Sequence, residues 1–373
     1  MKIAPFCRAI ERHNASKVTP HIEHLLVHTG QHYDDQMSRL FFKELGIPEA
    51  DINLGVGSGS HAEQVGRTMM AIEPVLREHT PDWVVVVGDV NATCACAITA
   101  KKEHVRLAHI EAGLRSGDMR MPEEVNRLVT DRLADLLLTP DELSSQNLRR
   151  EGVPEVRIKF VGNIMIDTLE AQRQAAARLE IAQVVRDNQL LPDTSRLSTF
   201  ILQLSSYAVL TLHRPSNVDS HAVLSPIVSF LTDEVAPDLP LLWPIHPRTR
   251  KQLVDFGLWD RVCQCPGLML LQPLGYHAML RLNMDARLMM TDSGGLQEEC
   301  CVLGTPCLTL RENTERPVTL REHGGASVLV GNDITRIRNA YRATLAEARS
   351  PQRPPLWDGK TAERCVKAIV SAQ

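Results

Sequence analysis

Short apolar runs, many of them rich in β-branched residues, alternate along this chain with longer stretches of helical periodicity, and that alternation leaves few folds open. The runs lie at 24–27, 84–87, 105–109, 134–138 (or a helix end there), 157–161, 208–212, 241–245, 288–291, 307–310 and 328–330. Strands buried on both faces read as continuous apolar runs, and crossover helices connect parallel neighbours, so an α/β chain with parallel sheets is expected. At 373 residues, 43% hydrophobic and 23% charged, there is enough chain for two domains, each with its own core. The charged, Ala-rich stretch 170–190 reads as a helix entering a linker, which Pro192-Asp193-Thr194-Ser195-Arg196 then breaks. The expected division is an N-terminal α/β domain at 1–165, a linker at 166–206, a C-terminal α/β domain at 207–350, and a final helix at 351–373 packing back on the first domain. One irregularity stands out: Lys2-Ile3-Ala4-Pro5 leads straight into a helix at 6–13, where a doubly wound domain normally opens with a strand. The first N-terminal strand is missing, which would expose backbone groups of its neighbours and predicts an unstable or inactive chain.

Several classes are argued against by composition. No apolar run approaches the roughly 18 residues that span a bilayer, and the N-terminus lacks the apolar core of a secretory signal, so no membrane partner and a cytoplasmic location are expected. A net charge of -4 without a dense Lys/Arg tract gives no nucleic-acid surface. The nine cysteines include Cys94/Cys96, Cys263/Cys265 and Cys300/Cys301, pairs without CxxC spacing or an adjacent His, so they are read as small buried hydrophobes and no metal is expected.

In open α/β sheets ligands bind beyond the carboxyl ends of strands, so polar residues directly after an apolar run take priority. Val84-Val85-Val86-Val87-Gly88-Asp89 places a carboxylate at such an exit; in isolation, Asp89 reads as a cap for the helix at 92–102. His109-Ile110-Glu111-Ala112-Gly113-Leu114-Arg115 supplies a second carboxylate, and Pro122-Glu123-Glu124 two more in the first turn of a helix, where favouring the macrodipole is their ordinary use. Asp89, Glu111 and Glu123 all fall on one edge of one predicted sheet, which lifts them above those ordinary uses.

The second half has exits of opposite sign. Leu212-His213-Arg214 and Ile245-His246-Pro247-Arg248 each end a strand with His and Arg, which suits an anionic substrate in a cleft between domains. Thr291-Asp292-Ser293-Gly294-Gly295 offers backbone N-H groups at a helix start, the means of holding a diphosphate without a Walker lysine, and Glu299 one turn later could accept from ribose hydroxyls. Arg316, in Thr314-Glu315-Arg316-Pro317, could reach a phosphate or sugar, although a turn is the default reading. Gly55-Val56-Gly57-Ser58-Gly59 lacks a following Lys-Ser/Thr and is expected to be a mobile loop.

In order and across nearly the whole chain, these segments resemble the non-hydrolysing UDP-N-acetylglucosamine 2-epimerases. The resemblance runs through Gly30-Gln31-His32, Gly88-Asp89, His109 to Arg115, Pro122 to Arg127, Val161-Gly162-Asn163, His213-Arg214, His246-Pro247-Arg248, Asp292 to Glu299 and Thr314 to Pro317. It implies two Rossmann-like domains of the glycosyltransferase-B type with the active site in the interdomain cleft, a homodimer, a UDP-sugar substrate and no cofactor. By the same resemblance Asp89, Glu111, Glu123 and His213 are the catalytic positions. Lys2, Arg115, Arg127, Arg214, His246, Met279, Ser293, Gly294, Gly295, Glu299 and Arg316 are the substrate-binding ones. The implied reaction removes the C2 proton as UDP leaves C1, forms 2-acetamidoglucal, and re-adds UDP with the proton on the opposite face, which needs proton carriers on both faces of the sugar.

The departures are specific. The family's opening strand and its Gly-Thr-Arg-Pro-Glu turn are absent, while Lys2 matches the lysine that follows them, pointing to a shortened N-terminus. Met279 stands where many members place a phenylalanine beside uracil, predicting a softer contact. Gln31-His32-Tyr33-Asp34-Asp35 differs from the segment of the allosteric site in regulated bacterial members, so that regulation is not expected. A UDP-2,3-diacetamido-glucuronate 2-epimerase is the second reading, on the similar Arg120-Met121-Pro122-Glu123-Glu124; a hydrolysing epimerase and an inactive UDP-sugar binder follow. Sugar transfer to an acceptor fits less well, since inversion usually needs one base rather than three carboxylates.

Overall fold

The computed structural model describes residues 1–30, 44–191 and 194–372, so Gln31 to Asp35 and the Pro192-Asp193 pair fall outside the described residues. The chain divides into two compact units: Met1–Ala171 with Pro354–Gln373, and Gln172–Arg353. The segment 166–206 carries the helix Ile164–Ala177 across the division, then Ile181–Asp187 and Thr194–Leu202.

The N-terminal unit holds two parallel sheets. In one, β1 (Val27–His28) pairs with β2 (Ile52–Asn53); in the other the order is β3 (Trp83–Val87), β4 (Arg106–Ile110), β5 (Leu136–Thr139), β6 (Ile158–Phe160). No strand joins β1 to β3 among the described residues, and the helix Ile3–Ala15 opens the chain. Along β4 and β5 the pleat sends successive side chains to opposite faces. Ala108, Ile110, Leu136 and Leu138 meet Phe6 and Ile10 of that first helix and Cys365 and Val366 of Thr361–Ser371. Leu107 and Leu137 meet Ile72, Leu76 and Leu148 on the other face. The last helix is fastened by Asp167, whose carboxylate accepts from Thr361 N (3.0 Å) and Ala362 N (2.7 Å) at its unpaired N-terminal turn. Beyond β2 the chain stays tied to the stretch after β1, with Val56 N bonded to Thr29 O and Gly57 N to Gly30 O, so the first part of the glycine-rich loop at 55–59 is anchored.

The C-terminal unit contains one six-stranded parallel sheet in the order β12 (Ser327–Leu329), β11 (Cys307–Thr309), β10 (Leu288–Thr291), β7 (Ala208–Thr211), β8 (Leu241–Pro244), β9 (Leu268–Leu271). Read from the other edge this is the 3-2-1-4-5-6 order of a dinucleotide-binding domain, and its switch point lies between β7 and β10. The strands alternate cleanly: Leu210, Leu241, Trp243, Leu268 and Met290 enter one core, and Val209, Leu242, Met269, Met289 and Cys307 the other. The strand β9 had no counterpart among the sequence runs. Its Leu-Met-Leu-Leu has no β-branched residue, and a short buried apolar run without one cannot be told from helix by periodicity.

Candidate active site

In the N-terminal unit the exits of β3 and β4 converge on the helix Pro122–Leu133, which starts with Pro at its first position, where the missing N-H costs nothing. Asp89 does not cap the next helix: Val90 occupies that position without a side-chain bond, and Asp89 instead accepts from Arg127 Nη2 (2.6 Å) and Nε (3.1 Å). Asn126 Nδ2 donates to the Asp89 carbonyl at 2.9 Å. Glu123 lies one turn before Arg127, so it projects from the face that meets Asp89. Glu124 braces the loop instead, accepting from Ser116 N and Oγ (both 3.0 Å), Gly117 N (2.9 Å) and Arg127 Nη1 (2.6 Å). Burial alone would raise the Glu124 carboxyl, but those N-H groups and the guanidinium hold it below its ordinary value.

Glu111 is buried with φ at 74°, a left-handed conformation that a residue with a Cβ adopts only under constraint. Lys2 Nζ bonds its Oε2, and both groups crowd Gly88, where a side chain would meet Lys2 Nζ at 3.2 Å and Glu111 Oε2 at 3.3 Å. The expected Arg115 is taken up elsewhere: its guanidinium donates to Asp131 (2.7 Å), to Glu151 twice (2.8 Å each) and to the Leu114 carbonyl. Asp131 is a site residue that no motif announced. It accepts from His109 Nδ1 at 2.6 Å, Gly113 N at 3.0 Å and Arg115, and although burial would raise it, the His109 and Arg115 charges hold it low.

In the C-terminal unit the exits of β7 and β10 meet at the switch point through Asp292. Its carboxylate, wholly buried, accepts from His213 N (2.9 Å), Arg214 N (2.8 Å) and Asn217 Nδ2 (3.1 Å), and His213 Nδ1 lies 2.7 Å from it. Here too burial pushes upward and the His213 ring and backbone N-H groups win. His246 begins the helix Pro247–Asp255; its Nδ1 accepts from Arg248 N at 3.1 Å, so a neutral ring carries its proton on Nε2, and its centroid stands 5.7 Å from that of His213. Ser293 precedes the helix Gly294–Leu303, with its N-H on Thr291 Oγ1 at 3.0 Å and its hydroxyl outside the cap bond. Gly294 is required by the approach of Arg316: a Cβ there would sit 2.6 Å from Arg316 Nη1. Gly295 follows in the first turn, half-buried.

Arg316 is itself buried, its Nε on Glu298 at 2.7 Å and its Nη1 on Glu315, which also holds Arg311 at 2.6 Å. Glu299 is 2% exposed and receives the Tyr276 hydroxyl at 3.0 Å. Burial lifts its carboxyl to about 7, with the Glu298 charge adding to the rise against the Tyr276 hydrogen bond. Met279, half-buried on the helix Tyr276–Asp285, packs against the core cluster that includes Leu282 and Cys300. The structure therefore groups Asp89, Glu111, Glu123, Lys2 and Arg127 in one unit, and His213, Arg214, His246, Ser293, Gly294, Gly295 and Arg316 at or near the strand exits of the other.

Two Rossmann-like units, one with carboxylates at its strand exits and the other with a Ser-Gly-Gly helix start at its switch point, place this chain in the glycosyltransferase-B fold class of nucleotide-sugar enzymes. The family model described as UDP-N-acetylglucosamine 2-epimerase matches residues 14–370. The UDP-N-acetylglucosamine 2-epimerase of Methanocaldococcus jannaschii is 38% identical over 370 residues, covering 99% of this chain and 95% of that protein. A crystal structure of the M. jannaschii enzyme in complex with UDP-GlcNAc and UDP superposes with a TM-score of 0.85 at 38% identity, covering 100% of this chain and 96% of that one. The UDP-2,3-diacetamido-2,3-dideoxy-D-glucuronate 2-epimerase of Pseudomonas aeruginosa is also 38% identical, over 331 residues, 87% of this chain and 85% of that protein. This chain belongs to the UDP-N-acetylglucosamine 2-epimerase family, a family of isomerases.

Proposed function

We propose that this protein interconverts UDP-N-acetylglucosamine and UDP-N-acetylmannosamine by anti-face proton return through 2-acetamidoglucal. The observation that carries the reading is the grouping of Asp89, Glu111 and Glu123 about the exits of β3 and β4, a set of proton carriers that binding alone does not require. One carboxylate takes the C2 proton while the C1–O bond to UDP breaks, leaving a C1–C2 double bond. UDP oxygen then adds back to C1 and a second carboxylic acid returns a proton to C2 from the other face. The C-terminal unit serves the diphosphate: the Ser293 hydroxyl and the N-H groups of Gly294 and Gly295 at a positive helix end, the Arg316 guanidinium, and His213, whose Nε2 would face the departing phosphate while Nδ1 lies against Asp292. Lys2 bonds Glu111 and Arg127 bonds Asp89, so each of these carboxylates has a cation at its side.

The enzyme acts as a homodimer without cofactor or metal, in the cytoplasm; the family membership supports this, and no helix among the described residues is long and apolar enough to cross a membrane. A second reading, epimerisation of a UDP-diacetamido-glucuronate, is favoured by the equal identity to the P. aeruginosa enzyme. Proton NMR in deuterated water decides between them. Deuterium at C2 and growth of the manno signal are expected with UDP-N-acetylglucosamine; inertness toward it, with exchange in the diacetamido-uronate, would establish the second reading instead.

A further inference from the structure

His109 lies on β4 two residues before Glu111, fully buried, and both its ring nitrogens face acceptors. Nδ1 lies 2.6 Å from Asp131 Oδ1, and Nε2 lies 2.8 Å from the Gly88 carbonyl. Neither oxygen can donate to the ring when Asp131 is a carboxylate, so each nitrogen must carry a hydrogen and the ring is an imidazolium. Asp131 is kept ionised by the company of that cation and of Arg115, which offset the penalty of burial. The same carboxylate takes Gly113 N at 3.0 Å. Two anchors, at residues 109 and 113, therefore close on one group from either side of Glu111, the residue whose backbone is left-handed at φ 74°. Through the Gly88 carbonyl the pair also reaches the exit of β3, directly before Asp89.

We infer that His109 and Asp131 are a positioning pair for the epimerisation: a buried imidazolium–carboxylate unit that fixes the backbone of Glu111 and Gly88 and so aims two proton-carrying carboxylates. The inference rests on the epimerase reading above. Neither residue is a proton carrier, because both ring nitrogens are committed to protein oxygens and the aspartate has its oxygens on His109, Gly113 and Arg115. The pair belongs to the N-terminal unit and the residues assigned to the diphosphate belong to the other, so its loss should tell on the chemical step and leave nucleotide binding unchanged.

The test pairs kinetics with a spectrum. Asp131→Asn turns an amide N-H toward groups that are all donors, and is expected to lower kcat for UDP-N-acetylglucosamine at least tenfold with KM within about twofold, the signature of lost transition-state alignment. His109→Gln removes the cation, can still donate to Gly88 O, and leaves Asp131 paired with Arg115; it is expected to show the same split and decides the matter should Asp131→Asn not fold. In the wild type, long-range proton–nitrogen NMR of ring-labelled protein should find both His109 nitrogens protonated. A folded variant with wild-type kcat, or a KM rise equal to the fall in kcat, overturns the positioning role; a neutral ring pattern overturns its charge. A wild-type protein that exchanges no C2 proton in either nucleotide sugar defeats the epimerase reading and the positioning role with it, whereas a normal wild type with unaffected variants defeats the positioning role alone.

Discussion

His109 in the N-terminal unit and His213 in the C-terminal unit each set Nδ1 against a buried aspartate, at 2.6 and 2.7 Å, but their other ring nitrogens meet different surroundings. His109 Nε2 is closed on the Gly88 carbonyl and its side chain is inaccessible, while the His213 side chain is 37% exposed and its Nε2 meets no protein acceptor among the described residues. The same dyad is thus closed on protein at both ring nitrogens in one sheet and left accessible at one of them in the other. What separates them is the strand position: His109 points sideways from the middle of a packed strand, whereas His213 stands past the end of β7, at the switch point where the sheet opens. A third buried carboxylate sharpens the contrast. Asp131 and Asp292 each face a histidine and are held low, whereas Glu299 faces a phenol, the Asn283 amide and a like-charged neighbour, and burial lifts it to about 7.

The largest effect that can test this division is on the proton carriers. Glu111→Gln keeps shape and removes one proton carrier, so C2 exchange should fall about 10³-fold, while UDP affinity measured by calorimetry stays as in the wild type; loss of UDP binding instead would return Glu111 to a structural role. Next comes His213→Gln, expected to lower kcat roughly 10²-fold, the usual cost of removing one donor from a developing anion. If it changed only KM, His213 and His109 would share a structural use and the contrast would fail. The smallest is thermodynamic. The Glu299 carboxyl titrates near 7 in the fold against an ordinary 4.5, so the fold loses stability as pH rises between those values and no more above them. Glu299→Gln should therefore melt higher than the wild type at pH 8, by roughly 2 kcal/mol after allowing for strain in the Tyr276 contact, and match it at pH 4.5 in thermal unfolding of the unliganded protein. Asp131 and Asp292 act with the opposite sign: their contribution is present above the ordinary aspartate range and is lost as pH falls through their depressed values.

Much of this was legible in the order of residues. Apolar runs of four or five residues each stopped at Gly88-Asp89, Ile110-Glu111, Leu212-His213 and Thr291-Asp292, and because a parallel strand delivers the residue after its last pair to the carboxyl edge, the identity of the edge residues followed from the runs alone. What each edge residue does was another matter. Asp89, whose reading in isolation was a helix cap, is instead the partner of Arg127, thirty-eight positions later. Arg115 read as a substrate ligand and is occupied by Asp131 and Glu151. Asp131, inside an ordinary amphipathic helix, carried no local sign at all.

The sequence by itself determined the alternation of strand and helix, the Ser-Gly-Gly helix start and the family, because these depend on periodicity, turn chemistry and motifs within reach of a few neighbouring residues. Only the tertiary structure decided which histidine is closed on protein acceptors, which arginine is engaged and which carboxylate is held low. Those properties arise from desolvation and from hydrogen bonds between residues brought together by strand order, and the energy of a buried charge is set by what surrounds it rather than by what precedes it in the chain.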